Sequence, residues 1–306
     1  MEDYSSAELK AECFDGFGTL NLDVKRLSRV PDAVTELSEV EELRLKDNNL
    51  TELPTSINKL DRLQSLYLDG NNLTELPAEI GDLKELKSLS VVNNQLVGLP
   101  TSIQKLNRLE WLGLDGNNLT ELPAEIGDLK ELKFLSVTSN QLVGLPTSIQ
   151  KLNRLEWLYF DGNNLTELPA DIGDLKELKV LSVTNNQLVG LPTSIQKLNR
   201  LRRLHLDGNN LTELPTEIGD LKELKSLSVS NNQLVCLPTC SIQRLNRLEG
   251  LVLDGNKLTE LPAEFGDLKE LKELIVSGNP LTVDAIKFAL KLEKRGVSTD
   301  IAGEDK

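Results

Sequence analysis

Histidine and cysteine, the residue types best suited to nucleophilic, redox and metal chemistry, are scarce in this 306-residue chain, with one His and three Cys. Cys236 and Cys240 stand in CLPTC, close enough to meet as a redox pair or to grip a soft ligand. With Cys13 they form an odd, scattered set, not a disulfide framework, so ordinary reduced thiols are the first expectation. His205 is the single histidine, which leaves little material for a nucleophile–histidine–acid relay. One His and three Cys also match no zinc spacing. The sequence contains no glycine-rich phosphate loop, paired-histidine motif or nucleophile elbow. We therefore expect no catalytic residues, no metal and no cofactor.

Other residues are suited to binding. Aromatics make up 4% of the chain, yet Trp157, Tyr159 and Phe160 fall within four positions of one another. Trp111 and Phe134 precede them, Tyr67 lies further back, and Arg202, Arg203 and His205 follow. Aromatics bordered by arginine are the composition of recognition hot spots. Asp69, Asp115, Asp161, Asp207 and Asp254 recur every 46 residues, the last interval being one residue longer. They suit either a rim selecting basic partners or a structural Asp-Gly turn. A shared calcium is excluded, because successive members would lie ~10 Å apart, far beyond a calcium–oxygen contact. Asn49, Asn72, Asn118, Asn164 and Asn210 each open an Asn-Leu-Thr triplet, a glycosylation acceptor in form and repeat grammar in the simpler reading.

What positions these side chains is a repeat. LQSLYLDGNNLTELPAEIGDLKE at 63–85 is followed by LKSLSVVNNQLVGLPTSIQKLNR at 86–108, and the pair then recurs. Twelve units of 23 residues begin at Phe17, Val40, Leu63, Leu86, Leu109, Leu132, Leu155, Leu178, Leu201, Leu224, Leu248 and Leu271; the tenth gains Cys240. One unit cannot bury its own leucines, whereas stacked units build a continuous core. The L-x-L step has the period of a strand. The Leu-Pro step removes an amide donor and forces an extended or turn conformation, so the return is irregular or briefly helical. The Asn after the strand (Asn71, Asn94, Asn117, Asn140, Asn163, Asn186, Asn209, Asn232, Asn256, Asn279) both donates and accepts, which predicts a buried ladder; Lys25 takes this place in the first unit.

Alternation sends the third and fifth residues of each unit away from the core. These positions vary most: Trp111, Phe134, Trp157 and Arg203 at the third, Tyr67, Tyr159 and His205 at the fifth, with Ser or Gly at many of the others and Thr19, Glu42, Val180, Glu273, Asn21, Arg44, Val252 and Ile275 at the rest. Trp111, Phe134, Trp157 and Tyr159 should share one outward patch on the order of 10 Å wide, while Phe160 takes a core leucine's place.

The pattern L-x-x-L-x-L-x-x-N-x-L-x-x-L-P-x-x-I resembles the leucine-rich repeat family over residues 17–282. The resemblance implies an α/β solenoid, a curved horseshoe with a concave parallel sheet and an irregular or short-helical convex side. Its L-P-x-x-I form is similar to intracellular Ras-group scaffolds and to bacterial members, which implies protein recognition, scaffolding or signalling, and an innate-immunity-like mode of binding. Near-identical units point to recent tandem duplication or consensus-style design, with the Cys240 insertion, Asp171 and Thr216 favouring drift.

The ends look closed. Ser5 to Glu8 form a capping box, which predicts a capping helix within 1–16. A second helix is expected over 283–296 with Val283, Ile286 and Leu290 on its apolar face, followed by a flexible tail over 297–306. Between units, Lys105 and Arg108 should face Asp82 and Glu85. A net charge of −14 argues against nucleic-acid binding, and no apolar run is long enough for membrane insertion. The polar, acidic start lacks a secretory pattern, so a cytoplasmic location is expected. The expected partner is a protein or peptide bound on the concave face through Trp111, Phe134, Trp157, Tyr159, Tyr67, Arg203, His205, Asp115, Asp161 and Asp207. A monomer is expected, with homotypic assembly, or a role as targeting subunit for a separate enzyme, as alternatives.

Overall fold

The L-x-L pairs and Leu-Pro steps set the course of the chain. The computed structural model describes residues 5–301. It divides into two compact units, one up to Leu155 and one from Glu156.

In the first unit, each repeat gives a three-residue strand from its third to fifth positions: β1 (Thr19–Asn21), β2 (Glu42–Arg44), β3 (Ser65–Tyr67), β4 (Ser88–Ser90), β5 (Trp111–Gly113) and β6 (Phe134–Ser136). Neighbours pair parallel and in register, with Leu20 opposite Leu43 and Leu112 opposite Leu135. After each strand the chain turns back, passes the proline and forms a 3-10 turn such as Ala78–Asp82 or Thr101–Lys105. The proline fits just before this turn because its missing N–H would have had no helical partner there. The second unit repeats the pattern with β7 (Trp157–Tyr159), β8 (Val180–Ser182), β9 (Arg203–His205), β10 (Ser226–Ser228), β11 (Gly250–Val252), β12 (Glu273–Ile275) and β13 (Ser298–Asp300).

Core leucines such as Leu66, Leu68, Leu73 and Leu83 are fully buried, as is Phe160. The asparagine ladder closes the turns. Asn117 Nδ2 donates to Val91 O at 2.8 Å and Leu114 O at 2.9 Å, while its Oδ1 accepts from Leu96 N at 2.9 Å. One amide thus satisfies three buried backbone groups belonging to two repeats. Asn48, at the same place in the second repeat, does likewise, accepting from Lys25 N and Leu27 N.

The inserted Cys240 is absorbed away from the strands. Where other repeats form a 3-10 turn, Thr239–Ile242 is an α-helical turn, and β10 still meets β11 in register with Leu227 opposite Leu251.

The ends depart from expectation in two places, the face of the last helix and the tail. The first helix, α1 (Ser6–Glu12), is capped by Ser5, whose Oγ accepts from Glu8 N at 3.3 Å while Ser5 N donates to Glu8 Oε2 at 2.7 Å. Phe17 is 92% exposed: Asp15 Oδ1 accepts from Phe17 N and Thr19 N, and this tight turn throws the ring outward. In the last helix, Val283–Glu293, the packed face is Ala285, Ala289 and Leu292, whereas Val283 and Leu290 face solvent. Small alanines let the helix lie close along that face, and Val283 and Leu290 fall outside it. The segment expected to fray instead gives β13, with Thr299 opposite Leu274. Backbone pairing with the open edge of β12 orders it without an apolar pattern. Residues 302–306 of that tail lie outside the described residues.

Candidate recognition face

Strand alternation puts the third and fifth side chains on the face opposite the leucine core. In the first unit this brings Tyr67, Trp111 and Phe134 to one surface. Trp111 and Phe134 stand directly opposite each other on β5 and β6, and their rings stack with centroids 5.0 Å apart and planes 9° apart. Gly113 makes that pose possible. A Cβ there would lie 2.4 Å from Trp111 Cη2, so the indole can lie along its own strand only over a glycine.

Beside the stack is a concavity of about 560 Å³ lined by Tyr67, Asp69, Ser88, Ser90, Trp111 and Asp115, with Lys46 and Val92. β4, which carries the two serines, separates the aromatic residues of β3 and β5. Tyr67 is held from the other side by cations: Lys46 Nζ lies 4.8 Å and Arg44 Cζ 5.8 Å from its ring centre.

In the second unit Trp157 and Tyr159 both project from β7 and are half-buried. Lys179 Nζ lies 5.4 Å from the Trp157 ring centre and 2.5 Å from Glu156 Oε2. Burial pushes the Tyr159 hydroxyl above its ordinary pKa; nearby Arg203 opposes this and Asp161 adds to it. Arg203 is exposed and His205 half-buried on β9. The structure therefore brings Trp111 to Phe134 and Trp157 to Tyr159, each pair within its own unit.

The face is less uniformly open than alternation implies. Val180, Ser90, Ser136 and Ser182 are buried. The serines are engaged by the aspartates. Ser136 Oγ and Thr138 N donate to Asp115 Oδ1 at 2.5 and 2.7 Å; Ser182 Oγ and Thr184 N donate to Asp161 Oδ1, both at 2.6 Å. Ser228 Oγ and Ser230 N do the same at Asp207, and Ser90 Oγ and Val92 N at Asp69. One oxygen of each of these aspartates is thus a staple to the next repeat. The Gly after each Asp is equally fixed: Gly116 has φ +66°, and a Cβ there would lie 2.3 Å from Asn93 Oδ1. Of the two readings of the acidic series, the turn is the one with visible contacts.

Cys13 is buried, and Cys236 and Cys240 are exposed thiols. Besides the buried serines, two features escaped the sequence reading. Gly113 looked like an empty position, and only its place two residues after Trp111 could have signalled its role. Val97 and Val143 in the first unit, and Val189 and Val235 in the second, are all more than half exposed; an apolar residue beside Gly98 in a turn was the available signal.

The strand register, asparagine ladder and Leu-Pro turns define a leucine-rich repeat solenoid. The leucine-rich repeat region profile matches residues 100–184 and 193–294, and a leucine rich repeat profile matches 18–73 and 62–119. The chain belongs to the leucine-rich repeat family. It is similar to a solved leucine-rich repeat protein of Leptospira interrogans, with 36% identity over 92% of this chain and 83% of that one, at a TM-score of 0.64. An internalin of Listeria monocytogenes shares the fold at 21% identity, covering 98% and 90% of the two chains, with a TM-score of 0.74. The Arabidopsis receptor kinase HAESA, solved with the peptide hormone IDA and the co-receptor SERK1, is 28% identical over 86% of this chain and 46% of its own, with a TM-score of 0.73. Comparison with curated proteins gives no match.

Proposed function

We propose that this protein is a recognition scaffold that binds a protein or peptide ligand on its strand faces. Tyr67, Trp111 and Phe134 are the anchors in the first unit, and Trp157 and Tyr159, with Arg203 and His205, in the second. The carrying observation is the Trp111–Phe134 stack over Gly113 beside a concavity of about 560 Å³. A preformed aromatic surface on paired strands loses little freedom when a ligand docks. Asp115, Asp161 and Asp207 then serve mainly to hold the strands that carry the anchors. Likeness to HAESA, whose structure contains a bound peptide hormone, supports a peptide or protein ligand.

The reading includes a signalling role without catalysis of its own, a monomeric state and a cytoplasmic location, where exposed thiols stay reduced. Light scattering tests the first of these physical claims and cell fractionation the second. The binding test is affinity capture with wild type and a Trp111→Ala/Phe134→Ala variant, followed by titration of the captured ligand. The variant should bind about tenfold or more weakly, since truncating a hot-spot aromatic costs ~2 kcal/mol or more. Equal affinity would reject the aromatic anchors.

A further inference from the structure

The second residue of each repeat lies just before the strand, and side chains at this position pair from one repeat to the next. In the first unit Gln64 bridges Glu41 and Lys87, with 2.9 Å contacts to each, and Lys133 Nζ lies 2.6 Å from Glu110. In the second unit Lys179 pairs with Glu156 at 2.5 Å, and Glu249 sits between Lys225 and Lys272 at 2.7 and 2.6 Å. Acid and base alternate, as expected where neighbouring strands bring side chains within ~5 Å.

Arg202 breaks the alternation. It occupies the place held by Glu110, Glu156 and Glu249 in the corresponding repeats. Its backbone is in register with two lysines: Arg202 N donates to Lys179 O, and Lys225 N donates to Arg202 O, both at 2.8 Å. Both lysines pair away from it, with Glu156 and Glu249. Arg203 follows at the third position, next to Val180 and Ser226 in register, and His205 at the fifth. Arg202 and Arg203 are exposed, and among the described residues neither guanidinium has an ion-pair or hydrogen-bond partner. A run of three like charges across adjacent strands is unfavourable. The other repeats avoid it, in a protein of net charge −14.

We infer that Arg202 and Arg203, flanked by Lys179, Lys225 and His205, form an anion site for the phosphate monoester of a phosphorylated side chain in a protein partner. Two unpaired guanidiniums balance one dianionic phosphate, and their planar donor forks match its oxygens. Lys179 is paired with Glu156, and Lys225 shares Glu249 with Lys272. A polyacidic segment fits less well, because the surrounding protein would repel its remaining charges. One compact dianion on an otherwise neutral or basic segment satisfies both conditions. Tyr159 and Trp157 on the same strand face offer apolar contact for residues beside the phosphate.

This site shares Arg203 and His205 with the second-unit anchors of the recognition face, but it turns on Arg202, which that reading does not use, and on none of the first-unit anchors. The probe is an array of peptides with randomised flanks around phosphoserine, phosphothreonine or phosphotyrosine, each matched by unphosphorylated and glutamate forms. Full-length wild type is compared with Arg202→Glu, which restores the alternating pattern, and with Arg203→Ser, the residue found at this place in β10. Wild type should prefer phosphorylated members by about tenfold or more, the worth of one charge-assisted hydrogen bond. Both variants should lose that preference, while Arg202→Glu melts at or above the wild-type temperature. Equal binding of glutamate forms, no preference for phosphate, or preference retained by Arg202→Glu would overturn the inference. So would retention on phosphoinositide vesicles without retention on the array. A Trp111→Ala/Phe134→Ala variant that keeps its phosphate preference supports the site independently of the aromatic anchors.

Discussion

At the scale of single residues, one glycine sets the character of the face. Gly113 admits the Trp111 indole over β5, and the stacked pair with Phe134 is worth about 1 kcal/mol beyond simple burial. Gly113→Ser should therefore displace the ring while leaving the backbone intact, because serine stands at this position in β4 and β6. In a Trp157→Phe background, Trp111 is the only tryptophan left; its near-ultraviolet circular dichroism should collapse on the substitution, while the far-ultraviolet spectrum stays the same. An unchanged near-ultraviolet band would mean that Gly113 does not control the ring. The asparagines work inwardly. Asn117→Ala leaves Leu96 N, Val91 O and Leu114 O without their partner. At ~1–3 kcal/mol for each buried unsatisfied group, the loss should be about 3 kcal/mol or more, readable as faster amide exchange in the flanking turns. Exchange no faster than wild type would remove the ladder from the account.

At the scale of elements, charged pairs link one repeat to the next. Lys105 pairs with Asp82 at 3.3 Å and Arg108 with Glu85; Lys197 pairs with Asp174 at 3.4 Å and Arg200 with Glu177. Such exposed pairs favour one stacking register more than they stabilise it. Glu249, gripped first by hydrogen bonding to Lys225 and then to Lys272, has its carboxyl lowered from 4.5 to about 2. A carboxyl that is more acidic when folded favours the folded state above its unfolded value and loses that effect as protons bind. Its contribution is thus complete above about pH 4.5 and fades as pH falls toward 2. Glu249→Gln should be less stable than wild type at pH 7, and the gap should close across that window; a gap independent of pH would contradict the pairing. The elements also show what was legible in sequence. The 23-residue period, the strand positions and the outward set from Tyr67 to His205 follow from spacing alone, because every repeat votes for the same register. The packed face of the last helix and the strand Ser298–Asp300 did not, since each occurs once and is decided by the neighbour it meets. The buried serines of the face were missed for a related reason: their partner Asp115 or Asp161 lies one repeat back, where a reading along the strand does not look.

At the scale of the whole molecule, repetition supplies a frame and variation supplies the candidate binding surface. The leucines, asparagines and prolines hardly change from repeat to repeat, while the outward positions run from Ser and Gly to Trp, Tyr and Arg. A net charge of −14 adds a long-range field that attracts basic surfaces and weakens with salt, so under the proposed function a basic partner is favoured. The association rate of such a partner should fall roughly tenfold between low and physiological ionic strength. A salt-independent rate would show that docking is governed by apolar contact alone.

The central claim is that the aromatic residues on the strand faces are the binding anchors. Its most direct test is quantitative affinity capture from source lysate with wild type and a Trp111→Ala/Phe134→Ala/Trp157→Ala variant, both checked for folding by circular dichroism. A partner recovered by wild type and reduced about tenfold or more with the variant is the predicted result. Equal recovery by two folded proteins would contradict it and move the binding surface elsewhere on the solenoid.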